Sequence, residues 1–99
     1  MVAYHSAMRS DSLTLPCFST THDVDWAFHR PNGGLHYIYS NKEVFPDFMD
    51  RFSVNRKKPG DFSLTISSVM LNDSGLYTCH ENSGLSSVRH QVQVIVYCE

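Results

Sequence analysis

The sequence predicts an all-β fold built as a sandwich or barrel of short strands. Three observations carry this reading. Apolar residues recur at every second position in several short runs, clusters of Pro, Asn, Gly and Asp separate those runs, and no 3.6-residue pattern lasts longer than one turn. The chain has 99 residues, 41% of them apolar and 12% aromatic. That is the composition of one folded domain, near the size at which a covalent link adds useful stability. A formal net charge of −2 gives no electrostatic footprint for nucleic acid.

Residues 1–10, "MVAYHSAMRS", read as an N-terminal segment with a candidate edge strand and contain no signal-peptide h-region. "LTLPC" places Leu13, Leu15 and Cys17 on one face, and "VDWAF" places Val24, Trp26 and Phe28 on one face. "RPNGG" is turn chemistry, because Asn and Gly tolerate positive φ. With "LHYIYS" it predicts a hairpin of residues 25–30 against residues 35–40. "NKEVFPDFMD" carries Pro46 and reads as an edge segment or loop. "RFSVN" is a short strand, and "RKKPG" reads as a solvated loop around Arg56, Lys57 and Lys58. "DFSLTISSV" points Phe62, Leu64 and Ile66 inward. In "LNDSGLYTC" a turn through Asp73 and Gly75 runs into a strand bearing Tyr77 and Cys79 on one side. "HENSGLSS" reads as a loop, and "VRHQVQVIVY" closes the chain with Val92, Val94 and Val96 on one face.

The three cysteines, Cys17, Cys79 and Cys98, form no C-x-x-C pair, which argues against a zinc or thioredoxin-type motif. An odd count suggests one internal disulfide and one thiol with another use. Cys17 and Cys79 stand 62 positions apart with Trp26 between them, and Tyr77 lies two residues before the second cysteine. This pattern resembles the signature of the immunoglobulin superfamily. "WAFHRP", "YIYS", "RFSV" with "FSLTISSV", and "DSGLYTC" resemble its variable-type (V-set) strands C, C′, D with E, and the D-x-G-x-Y-x-C motif. "TLPC", "IYSN", "DRFS" and "NDSGLYTC" look most similar to innate immune-type receptors and butyrophilin-like proteins of bony fish, and "WAFHRP" followed by "YSNK" more distantly resembles the T-cell co-receptor alpha chain.

The resemblance implies a V-type sandwich of two antiparallel sheets over residues 11–97, with residues 98–99 starting a stalk. It implies a Cys17–Cys79 inter-sheet disulfide, with Trp26, Tyr77, Leu15, Leu64 and Ile66 in the core. Closing so long a loop stabilises a fold by ~4 kcal/mol in the chain-entropy model. The resemblance also implies that the Tyr77 hydroxyl bonds back to the backbone, and that Arg51 pairs with Asp73 across the base. Cys98 is expected beyond the core, in an interchain disulfide or the stalk. Asn72-Asp73-Ser74 is an N-glycosylation sequon.

No enzyme motif of the G-x-S-x-G, H-E-x-x-H or phosphate-loop kind occurs, so neither catalysis nor a small-molecule substrate is expected. The six histidines, His5, His22, His29, His36, His80 and His90, lack ligand spacing, so no metal or other cofactor is expected. Family logic instead implies a protein partner on the outer face of strands C, C′, F and G. Period-two alternation puts Ala27, His29, Tyr37, Tyr39, Thr78, His80, Gln91 and Gln93 there. Tyrosines on an open sheet suit an interface, although β propensity alone also favours them. The expected role is that of a cell-surface immune receptor or ligand ectodomain that binds a protein on another cell. A homophilic adhesion module or homodimer using the same face is the alternative. No stretch approaches the roughly 20 apolar residues of a membrane span, so a membrane link is expected only through a segment outside this chain.

Overall fold

The computed structural model describes residues 2–21, 23–83 and 85–98, with side chains at all of these except 83 and 85–89. His22, one of the histidines weighed as a ligand, lies outside the described residues. The strands are β1 (Val2–Met8), β2 (Leu13–Leu15), β3 (Val24–His29), β4 (Leu35–Ser40), β5 (Glu43–Val44), β6 (Phe52–Val54), β7 (Leu64–Ile66), β8 (Gly75–Ser83) and β9 (Leu85–Tyr97), with a 3-10 turn at Leu71–Asp73. They form a six-stranded sheet in the order β1-β9-β8-β3-β4-β5 and a three-stranded sheet in the order β2-β7-β6. Pairing is antiparallel except at the edge, where β1 runs parallel to β9. Because β1 and β9 are far apart in the chain, this parallel pair needs no local crossover.

The alternating apolar runs converge between the sheets. Leu15, Trp26, Ile38, Leu64, Ile66, Tyr77, Cys79 and Val94 are all 0% exposed. The Cys17–Cys79 disulfide joins the sheets, and Trp26 sits directly opposite Cys79 in the β3–β8 register. The indole N–H donates to the Phe62 carbonyl at 2.7 Å, so the one polar atom of that side chain is satisfied inside the core. Phe28 stacks on Tyr77 with ring centroids 4.5 Å apart.

Two sequence expectations give way here. The segment read as a loop, residues 80–87, continues the ladder at its described residues, with His80 paired to Val88, Glu81 to Ser87 and Asn82 to Ser86. Its polar residues lack the apolar alternation that marks a strand, because this part of the hairpin extends past the core. The Asn82 N–H donates to the Asp23 carbonyl at 2.9 Å and ties the extension to the start of β3. The "RKKPG" segment, in turn, is more than a solvated loop. Arg56 Nη1 donates to the Tyr39 hydroxyl at 2.9 Å, and its guanidinium lies 4.7 Å from the Phe62 ring centroid.

That contact exists because β4 contains a bulge. Trp26 pairs with Tyr39 and Ala27 with Tyr37, which leaves Ile38 as the extra residue. The bulge brings Ile38 and Tyr39 inward in succession, at 0% and 3% exposure. Arg56 then caps the Tyr39 hydroxyl from the far sheet. Arg56→Ala is expected to cost about 1–2 kcal/mol, because it leaves that hydroxyl without its donor. Lys57→Ala should stay within about 0.5 kcal/mol. Urea denaturation of the two variants distinguishes the clasp from a solvated loop.

Candidate partner-binding face

The register places two rows of side chains across the outer face of the large sheet. One row runs Tyr37, Ala27, Thr78, Gln91, Val2, and the next runs Leu35, His29, Leu76, Gln93, Tyr4. Five strands at roughly 4.8 Å spacing make each row about 19 Å long. Neither row contains Asp, Glu, Lys or Arg. The relief is uneven. Ala27 and Thr78 are 1% and 2% exposed, whereas Tyr37, Leu35 and Tyr4 are 45%, 51% and 76% exposed. The first row therefore dips at its centre between apolar pegs, and Ile95 and Tyr97, both exposed, continue the face along β9.

Period-two alternation gives a side but no height and fails at a bulge, and three expected contact residues are corrected on those two grounds. Ala27 and Thr78 face outward but lie below their neighbours in the two central strands. Thr78 Oγ1 is also bonded to His80 Nε2 at 2.9 Å. Tyr39 belongs to the core because of the β4 bulge. His29 and Tyr37 are exposed, and Gln91, Gln93 and His80 are half-buried on the outer side. Leu35, Leu76, Val2 and Tyr4 were missed. The inward Val92, Val94 and Val96 already imply outward Ile95 and Tyr97, but nothing in "VAYHSAM" announces which way β1 faces.

At the base of the sandwich a hydrogen-bonded knot holds these strands in place. Arg51 approaches the Asp73 carboxylate end to end, with Nη1–Oδ2 at 2.7 Å and Nη2–Oδ1 at 3.0 Å. Asp73 Oδ2 also accepts the Met70 N–H at 2.8 Å, and the Tyr77 hydroxyl donates to the Asp73 carbonyl at 2.6 Å. The bond to Asp73 raises the Arg51 pKa above its usual value, with burial opposing it. Burial pushes the Tyr77 phenol well above the usual tyrosine range, and the Asp73 charge adds to this. Gly75 is required for close approach: a Cβ there would lie 2.4 Å from Phe28 Cε1 and 2.5 Å from the His29 carbonyl oxygen. Cys98 is an exposed free thiol. Among the described residues, no cluster of three His, Cys, Asp or Glu is arranged to hold a metal ion.

Asp73→Asn is expected to destabilise the domain by about 2 kcal/mol, since it strips the charge partner from a half-buried arginine. At this size that lowers Tm by roughly 8–16 °C, readable by calorimetry. The phenol provides a second test. Unfolded tyrosine releases its proton near pH ~10 while folded Tyr77 still holds it, so unfolding gains ground as pH rises past that point. Tm should be flat with respect to this group below pH ~10 and fall above it. Tyr77→Phe should remove that alkaline slope while lowering Tm at every pH through the lost hydrogen bond.

Residues 3–97 match the immunoglobulin V-set domain model. The chain is also similar to curated proteins called sodium channel regulatory subunit beta-3. The mouse protein (Mus musculus) is 41% identical over 88 residues, covering 75% of this chain and 40% of the relative. The cattle (Bos taurus) and human (Homo sapiens) proteins are 40% identical over the same length and shares. The chain thus spans about 40% of the length of these relatives. With its inter-sheet disulfide, buried tryptophan, tyrosine corner and match over residues 3–97, the chain belongs to the immunoglobulin V-set domains.

Proposed function

We propose that this chain is the extracellular recognition domain of a cell-surface protein, and that it binds a protein partner through the outer face of its six-stranded sheet. The observation that carries the reading is the pair of uncharged rows, with Tyr37, Leu35, Val2 and Tyr4 exposed at their ends and Ala27 and Thr78 lying low at the centre of one of them. A partner docking there buries aromatic and aliphatic area without desolvating a formal charge. The disulfide fits an oxidising, extracellular address.

The relatives are named as regulatory subunits of a sodium channel. The partner we assign is therefore a channel protein in the same membrane, with this domain as an auxiliary subunit's ectodomain. The motifs similar to innate immune-type receptors support a second reading, contact with a protein on another cell through the same face. An uncharged face also lets a second copy dock without like-charge repulsion.

The test is co-precipitation of the full-length chain with a pore-forming sodium channel subunit, alongside recorded current. Tyr37→Asp and Tyr4→Asp place a charge on exposed pegs at opposite ends of the rows, and each should weaken capture by 10-fold or more, the scale of a lost hot spot of about 2 kcal/mol. Met49→Asp, at an exposed residue outside both rows, should leave capture unchanged. Loss with Met49→Asp and none with the two tyrosine variants would place the contact elsewhere. Capture of another surface protein through the same pegs, with the channel ignored, would favour the receptor reading.

A further inference from the structure

We infer that the basic loop of residues 56–60 and the groove beside it on the small sheet bind a sulfated glycan chain. Arg56, Lys57 and Lys58 are all exposed, on a chain whose formal net charge is −2. None of the three is in an ion pair: among the described residues the one such pair is Arg51–Asp73. The acid nearest in sequence, Asp61, is buried and fully engaged. Its Oδ2 accepts from Asn55 Nδ2 at 2.9 Å, and its Oδ1 accepts from the Ser63 N–H at 3.0 Å and the Ser63 hydroxyl at 2.7 Å. Three neighbouring cations are thus left for an anionic ligand.

The loop is already ordered. Arg56 Nη1 is fixed on the Tyr39 hydroxyl, and the Lys57 N–H donates to Asn55 Oδ1 at 3.1 Å. The Asp61 N–H donates to the Lys58 carbonyl at 3.1 Å, and the Ser19 N–H donates to the Gly60 carbonyl at 2.9 Å. A ligand therefore meets a preorganised backbone and loses little affinity to ordering it. Ser53, Val54, Asn55, Arg56, Lys57 and Thr65 line a groove of about 450 Å³. Ser53 and Thr65 are register partners on the outer side of the small sheet, since Phe52, Leu64 and Ile66 face the core. The groove thus combines hydroxyls, an amide and two cations. That set matches a ligand bearing both sugar hydroxyls and sulfates: Lys57 and the remaining N–H groups of Arg56 donate to sulfate oxygens, and Ser53, Thr65 and Asn55 bond the hydroxyls. The same loop continues into Pro59 and Gly60, which with Phe18, Ser19 and Thr20 line a second groove of about 270 Å³. Phe18 is 61% exposed there and offers a ring on which the C–H face of a sugar packs. Two grooves bordering one basic loop favour a chain of sugars over a single anion. Site and protein-binding face lie on different sheets, so one ligand need not displace the other.

The inference rests on the extracellular reading, because sulfated glycans lie outside the cell, and the test separates the two. The full-length chain, epitope-tagged, is expressed in cultured cells that make no sulfated glycans, and surface tag is counted beside bound fluorescent heparin. Expressing cells should bind heparin above untransfected cells. Lys57→Glu combined with Lys58→Glu should cut that binding by about 10-fold at equal surface tag. Ser53→Ala, which leaves the charge unchanged, should weaken it about 3-fold, the scale of one hydrogen bond. Arg9→Glu, at an exposed cation away from the loop, should leave it unchanged, and chemically desulfated heparin should not compete. Equal loss with Arg9→Glu and with the lysine pair would reduce the site to bulk charge and overturn the inference. Surface-displayed chain that binds no heparin would overturn the inference and leave the extracellular reading standing. So would capture of phosphatidylserine vesicles through the two lysines with heparin ignored. A tag found only inside the cells would overturn both.

Discussion

The Asp73 carboxylate is almost fully enclosed at the base of the sandwich, where it accepts two hydrogen bonds from Arg51 and one from the Met70 amide. Arg51 immediately precedes β6 of the small sheet, and Asp73 closes the turn that leads into β8 of the large one. One ion pair therefore fixes the base of both layers. Its carbonyl receives the Tyr77 hydroxyl, which sets where β8 begins, and Gly75 lets β8 pass tightly against Phe28 and His29. Higher in the sandwich, Trp26 and the Cys17–Cys79 bond stand at adjacent positions in the ladder. With β8 anchored at Asp73 and at Cys79, the registers of β3 and β9 on either side are determined.

Those registers create the candidate face. Pairing His29 with Leu76 and Leu76 with Gln93 carries one row across the centre, and pairing Ala27 with Thr78 and Thr78 with Gln91 carries the other. A slip of one residue in β8 would turn Tyr77 out and Thr78 in, so the buried pairs at the base and centre also specify the surface. Ala27 and Thr78 make the centre of one row low, whereas His29 stands exposed in the other. The pegs are aromatic or branched, and they give up little conformational freedom on contact.

Much of this was legible in the sequence because the residues that carry the fold have specific chemistry at fixed spacings. Cys17, Trp26, Tyr77 and Cys79 could be placed from alternation and motif, and Arg51 with Asp73 from the family resemblance. What escaped depends on departures from strict alternation or on relief. Tyr39 turns inward because Ile38 is an extra residue in β4, and a bulge leaves no mark in a run as uniformly β-forming as "LHYIYS". Asn41 and Lys42 both have positive φ, at 53° and 65°, and make the two-residue hairpin into β5, in a segment read only as an edge or loop. Arg56 resembled its lysine neighbours, yet it alone reaches Tyr39. The depth of Ala27 and Thr78 depends on what flanks them in space, which a single strand's sequence does not encode.

On our proposal, this disulfide-locked V-set domain meets its partner through the uncharged outer face of the large sheet. Covalent footprinting of the full-length chain on cells, with and without the bound partner, tests this most directly. Tyr4, Tyr37 and Tyr97 should lose labelling in the complex, while Met49 and Phe18, exposed outside that face, keep it. Protection of Met49 or Phe18 with the three tyrosines still labelled would contradict the account.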